Sequence, residues 1–232
     1  MSGKKAVIFD FDGVLVNSEV IALAELRKCL AEFGMEFDLS EMIDQFLGAS
    51  FEEIEAFVHR ETGEEPKGTF RENWYARLFD RYSRELSIMP GALDLLNELD
   101  ARKIEYCIAS GGSYRRLNFA LETTGLKDRF ANRAYSADSV ARGKPEPDLF
   151  LFAAERLNAS PENCLVVEDA VAGVRAATNA GILSLAFVGG GHLSAHRELH
   201  GKRLRVAGAT AVLEGLNQVL QFIDTPTRLG RS

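Results

Sequence analysis

The sequence predicts an α/β fold: a doubly wound parallel sheet with an all-helical module inserted after its first strand. Three observations predict it. Short, apolar, β-rich segments alternate with helical stretches over much of the 232 residues, as βαβ units require. Between residues 17 and 86 the alternation stops, and helical patterns follow one another without a strand. Several strands also end on residues able to do chemistry, which is where a doubly wound sheet binds its ligands.

Taken in order, residues 6–9 form an apolar run that stops at Asp10, as a buried parallel strand does. Leu23, Leu26, Leu30 and Phe33 then recur at helical spacing, with Ser18 as a candidate N-cap. Further helices are predicted over 40–46, 51–61 and 69–86. After Pro90 and Gly91 come a helix over 92–102, a strand over 106–109 ending at Ser110, and a helix over 115–124. A weaker strand surrounds Ala134 and Tyr135, followed by a helix over 148–157 and a strand over 164–167 that ends at Glu168 and Asp169. A helix over 171–180 closes at Gly181. A strand over 182–187 and a last helix over 212–222 complete the pattern, and the polar tail 225–232 is expected to fray. The division implied is a core of residues 1–16 and 87–232 and a helical cap of residues 17–86.

Composition narrows the class. The chain is 46% hydrophobic and 26% charged, as soluble globular proteins are. A formal net charge of −7 argues against a general nucleic-acid binder, which needs a basic face. The short basic cluster of Arg197, Lys202, Arg203 and Arg205 reads as solvated surface. No apolar run reaches the ~18 residues of a membrane span, and no cleavable signal pattern opens the chain. The expected location is cytoplasmic, with no membrane partner. Cys29, Cys107 and Cys164 are widely spaced in apolar runs and read as reduced, buried thiols.

Asp10, Ser110, Glu168 and Asp169 occupy equivalent strand ends, and Lys144 lies in a Gly-Lys-Pro-Glu-Pro loop before a helix. Singly, each has an ordinary reading as a turn or cap residue; together, in order, they point to one crevice. The chemistry they suit is phosphoryl transfer through an aspartyl intermediate. A carboxylate is repelled by a phosphate dianion, and a hard cation with oxygen ligands removes that repulsion. Asp10, Asp169 and Glu168 are suitable ligands. Lys144 balances the remaining negative charge, while Ser110 and the Gly111 amide are placed to hydrogen-bond phosphoryl oxygens. Asp12, two residues past the nucleophile, is placed to protonate the leaving oxygen and then activate water.

These segments resemble the four motifs of the haloacid dehalogenase-like hydrolases. Asp10-Phe-Asp-Gly-Val-Leu-Val-Asn-Ser-Glu resembles the first, Ile-Ala-Ser110-Gly-Gly-Ser the second, Gly-Lys144-Pro-Glu-Pro-Asp the third, and Val-Val-Glu168-Asp169-Ala-Val-Ala-Gly the fourth. The resemblance covers residue 6 to about 188. It implies a Rossmann-like core and Mg²⁺ bound by Asp10, the Asp12 backbone carbonyl and Asp169, with Glu168 close by. It further implies a helical cap that closes over the site and selects the substrate. Asn17 stands where many relatives have an aspartate that serves cap-hinge hydrogen bonding. Asp12 argues against the dehalogenase and phosphonate-hydrolase branches, which usually lack a carboxylate there. The resemblance therefore implies a phosphatase of a phosphorylated sugar, sugar acid or polyol, nearest the hexose-phosphate and phosphogluconate phosphatases. Its partner is a small phosphorylated molecule, and the chain is expected to be a monomer or weak homodimer.

The alternative is a mutase like the β-phosphoglucomutases, whose cap carries an arginine after a Gly-x-Ser turn and a histidine early in its first helix. Here Phe51 and Ala22 stand at those places, with Arg71 the cap residue that could substitute. His192, His196 and His200 recur every four residues, a spacing compatible with zinc on one helix face. Without a thiol or carboxylate to complete a site, they are read as an exposed polar face. The preceding Gly189, Gly190 and Gly191 are not a P-loop, because its Lys and Ser/Thr do not follow. Trp74, Tyr75, Phe79 and Tyr82 are read as core packing of the cap rather than as a substrate-stacking face, and Arg71 and Arg77 as exposed charges.

Overall fold

The computed structural model describes residues 6–224 except 65, 67 and 68, so the tail 225–232 lies outside the described residues. In chain order the elements are β1 (Ala6–Phe9), α1 (Glu19–Ala31), α2 (Leu39–Phe46), α3 (Phe51–Thr62), α4 (Thr69–Glu85), α5 (Ala92–Ala101), β2 (Glu105–Ser110), α6 (Tyr114–Thr123), β3 (Ala134–Ser136), α7 (Asp148–Arg156), β4 (Cys164–Glu168), α8 (Val171–Asn179), β5 (Leu183–Phe187), α9 (Arg197–Ala207), β6 (Ala211–Leu213) and α10 (Val219–Asp224). The strands form one six-stranded sheet, β3-β2-β1-β4-β5-β6, with every pair parallel. Strand order reverses at β1, so the ends of β1, β2 and β4 meet at the topological switch point, where such folds bind ligands.

Period-two alternation sorts the central strands onto two faces. Ala6, Ile8, Cys107, Ala109, Cys164 and Val166 pack under α7 and α8. Val7, Phe9, Tyr106, Ile108, Leu165 and Val167 pack under the other layer, which includes Leu95, Leu96 and Leu99 of α5. The three cysteines are buried and free; burial pushes the Cys29 and Cys164 thiols up to about 11 and leaves them unreactive.

The second apolar cluster continues without a break into α1–α4, through Leu23, Leu26, Leu30, Met42, Trp74, Leu78 and Tyr82. The chain enters and leaves this helical region by two segments that pair with each other. Asn17 donates its N–H to Ser87 O at 2.9 Å, Met89 to Leu15 O at 2.8 Å, and Val16 bridges Ile88. Capping boxes fix the starts of α2 and α3: Asp38 and Ser50 accept from the backbone of Glu41 and Glu53, whose carboxylates reach back to the cap N–H groups. Trp74, Tyr75 and Tyr82 are buried as expected, with Phe79 packed against them.

Three expectations are corrected. Residues 212–222 are not one helix: Ala211–Leu213 is an edge strand on β5, and α10 starts only at Val219. Ser18 is not a cap. Its backbone is already helical, and its buried hydroxyl donates to Asp12. The three histidines do not share an exposed helix face. His192 sits on a 3₁₀ turn (Gly191–Leu193), His196 precedes α9 and His200 lies within it, and both His192 and His200 are buried. Among the described residues no helix is long and apolar enough to cross a membrane.

Candidate active site

A cleft opens between the carboxyl ends of the strands and the helices α1, α3 and α4; Asp10, Asp12, Gly111, Lys144, Glu168 and Asp169 all line it. The parallel ladder places them. Asp10 follows β1 directly and donates its N–H to Val167 O of β4 at 2.9 Å, which brings it beside Glu168 and Asp169. One carboxylate oxygen each from Asp10, Glu168 and Asp169 lies within 4.8 Å of the others, and all three residues are buried.

Lys144 is the cation of this group. Its Nζ donates to Asp10 Oδ1 at 2.6 Å and to Glu168 Oε2 at 2.8 Å, from a side chain 6% exposed. Burial works against its charge, yet the Asp10 and Glu168 carboxylates more than offset that and raise its pKa. The second Glu168 oxygen accepts from the Asp169 and Ala170 N–H groups at 3.1 and 3.0 Å. Gly173, one turn into α8, makes room for this carboxylate; a Cβ there would collide with it.

Asp12 lies outside the three-acid cluster. Its Oδ1 accepts from Ser18 Oγ at 2.7 Å and Arg116 Nη2 at 2.7 Å, and its Oδ2 from Ser110 Oγ at 3.1 Å. Ser110 is fully buried and takes the Gly112 N–H at 3.1 Å, so its hydroxyl is turned onto Asp12 rather than toward the open cleft. Arg116 also donates to Glu19 Oε1 at 2.8 Å and to Tyr82 Oη at 3.2 Å. Burial opposes its charge, but Asp12 above all, with Tyr82 and Glu19, holds the guanidinium protonated.

Arg116 and Glu19 are members of the site that sequence reasoning missed. Ser18 and Glu19 follow Asp12 within one motif, and that adjacency was the available signal for them. Nothing local marks Arg116, whose partner Asp12 is 104 residues away.

The donor set fits a hard divalent cation. It is all carboxylate oxygen, drawn from three buried residues. Burial first, then the neighbouring Glu168 carboxylate, pushes both Asp10 and Asp169 well above the usual range. Charges so crowded need a counter-ion beyond Lys144.

A family model for haloacid dehalogenase-like hydrolases matches residues 4–181. The chain is 34% identical over 186 residues to the 6-phosphogluconate phosphatase of Escherichia coli (strain K12), covering 78% of this chain and 81% of that one. It is 32% identical over 190 residues to the β-phosphoglucomutase of Bacillus subtilis (strain 168), covering 78% and 82%. The crystal structure of a conserved haloacid dehalogenase-like protein of unknown function from Agrobacterium tumefaciens matches with a TM-score of 0.79 at 33% identity, over 95% of this chain and 98% of that one.

Proposed function

This chain belongs to the haloacid dehalogenase-like hydrolases and is a phosphoric monoester hydrolase; we propose that it cleaves a small phosphorylated sugar, sugar acid or polyol through a phosphoryl group carried on Asp10. The observation that carries this reading is the convergence of Asp10, Glu168 and Asp169 on one buried point with Lys144 bridging two of them. Asp10, Asp169 and the Asp12 carbonyl, with Glu168 beside them, would hold Mg²⁺, which would offset the repulsion between a carboxylate and a phosphate dianion.

In the proposed mechanism the Asp10 carboxylate attacks phosphorus as the ester P–O bond breaks, and Asp12, carrying a proton on Oδ2 once Ser110 has left that oxygen, gives it to the departing oxygen. Asp12 then takes a proton from water, which attacks phosphorus, releases phosphate and returns Asp10 as a carboxylate. Lys144 stays on Asp10 and stabilises charge on the phosphoryl oxygens. The Gly111 amide and Ser110 bind those oxygens, which requires Ser110 to leave Asp12 when substrate arrives. We assign residues 17–86 as a cap and the paired segments at 15–17 and 87–89 as the hinge on which it moves.

A phosphatase is favoured over a mutase by the state of the cleft's cations. A mutase grips a second phosphate, and arginine does this best when its guanidinium is available. Arg71 is instead bound to Glu52 and Glu55 at 2.9 and 2.5 Å, and Arg116 to Asp12 and Glu19. Phe51 and Ala22, at the places of the mutase arginine and histidine, line the same cleft. The test is phosphate release from an aryl phosphate with and without Mg²⁺, then from a panel of phosphorylated metabolites. Supplied with β-glucose 1-phosphate, Mg²⁺ and a bisphosphate primer, the enzyme is expected to form free phosphate. Predominant glucose 6-phosphate would overturn the assignment in favour of the mutase, and Mg²⁺-independent release would overturn the metal's role.

A further inference from the structure

The Gly-Gly-Gly-His segment and the buried histidines have no part in the proposed chemistry, yet they converge on one of its residues. Asp169 leaves the end of β4 between the loop after β1 and the loop after β5. His192, from the second loop, has a fully buried side chain, and its Nε2 lies 3.1 Å from Asp169 Oδ2. The two are within reach but not aligned as a hydrogen bond, and among the described residues neither atom has another hydrogen-bond partner. On the main-chain side, His200 Nε2 lies 2.7 Å from Asp169 O. A carbonyl only accepts, so this nitrogen is the donor.

Two glycines make the approach possible. Gly13 has φ +78°, and a Cβ there would collide with Asp169 Oδ2 and crowd the His192 ring. A Cβ at Gly190 would strike the same ring at Cε1 and Nδ1. Three loops are therefore shaped around one imidazole against one carboxylate. Packing alone would be served by a buried phenyl ring, without two buried ring nitrogens left unpaired.

We propose that His192 is a positioning residue: its Nε2–H turns onto Asp169 Oδ2 and fixes which carboxylate oxygen faces the cation site, while His200 pins the Asp169 main chain. The inference rests on the proposed metal site, where an outer partner of a ligating carboxylate sets its orientation.

The test uses the full chain with His192→Phe, which keeps the ring shape without a donor, and His192→Gln, which restores an N–H near Nε2. Each is checked for fold by circular dichroism and thermal unfolding. Mg²⁺ affinity is then measured by calorimetry, independently of turnover. His192→Phe should weaken Mg²⁺ binding by about 10–100-fold, with His192→Gln recovering most of the loss. Parent-like affinity in folded His192→Phe, or equal losses in both variants, would overturn the proposal. A second measurement needs neither metal nor a His192 variant: ¹⁵N spectra of the metal-free imidazoles, with and without Asp169→Asn. His192 should be an Nε2–H tautomer whose Nε2 signal moves on that substitution; an unmoved signal overturns the proposal. If the parent binds no Mg²⁺, the metal reading fails, and these spectra alone decide whether His192 positions Asp169.

Discussion

The two walls of the cleft handle charge in opposite ways. On the sheet side, Asp10, Asp12, Glu168 and Asp169 share Lys144 and Arg116, which leaves acid in excess in a buried place. On the helical side, Phe51, Trp74 and Tyr75 line the cleft as a run of rings with neighbouring centroids 5.2 Å apart, continued behind it by Phe79, at 5.2 Å from Tyr75, and Phe119 of α6, at 4.4 Å from Phe79. The arginine there, Arg71, lies over the Phe51 ring and is neutralised by its own Glu52 and Glu55. A wall that must receive a dianion together with a cation keeps unbalanced acid for the cation to meet. The helical wall satisfies its charges internally and offers area. Under the proposed function that difference would separate chemistry from specificity, and it can be probed from each side.

The largest effect is expected on the sheet side. Lys144→Ala should lower kcat by about 10²–10³-fold, the usual cost of removing one donor aimed at developing charge. Saturating Mg²⁺ should not restore it, since the proposed role of the lysine is independent of the cation; full rescue in steady-state assays would erase that division. Next is Arg116, which serves both walls. Arg116→Ala leaves Asp12 and Glu19 as uncompensated neighbours and should cost about 3 kcal/mol of stability in chemical denaturation. A change under about 1 kcal/mol would mean water replaces the guanidinium without penalty.

Within the helical wall the effects shrink. Glu25 is buried between Lys28 and Arg81, at 2.7 and 2.9 Å. Burial pushes its pKa up, but those two hydrogen bonds outweigh it and leave the group below its ordinary 4.5. A carboxylate depressed on folding stabilises above its unfolded pKa and loses that contribution as pH falls through the folded value. Glu25→Gln should therefore cost about 1–2 kcal/mol near neutral pH, and the gap to the parent should close as pH drops below 4.5. A gap independent of pH would contradict the ion-pair account. Smallest is the exposed pair joining the walls, Arg115 on Glu72 at 2.7 and 2.9 Å. Arg115→Ala should barely lower stability, and less at high salt. A larger loss, unaffected by salt, would make this pair a latch rather than a surface contact.

The sheet wall was the more legible in the sequence, for a physical reason. Asp10, Glu168 and Asp169 each follow an apolar strand directly, so finding the strand finds the residue, and parallel pairing brings the ends together. Arg116 acts on Asp12 across 104 residues, a meeting set only by the packing of α6 on the sheet and α4. Ser18 had the composition of a cap, but its hydroxyl was worth more inside, on a buried carboxylate. Val212, Leu216 and Val219 carry helical spacing, yet three residues pair with β5 because an open strand edge outweighs a weak local preference. The histidine spacing failed likewise: the period assumed one helix, and the chain turns at His192 before α9 begins at Arg197.

Phosphorylation of Asp10 is the step on which the proposed reaction turns. Its most direct test is acid quench within the first turnover, with Mg²⁺ and a sugar monophosphate, followed by mass spectrometry of the peptide containing Asp10. One phosphoryl group is expected on Asp10, and a folded Asp10→Asn protein should neither acquire it nor retain more than about a thousandth of the turnover. A phosphoryl group on another residue, or near-parent turnover by Asp10→Asn, would contradict that step.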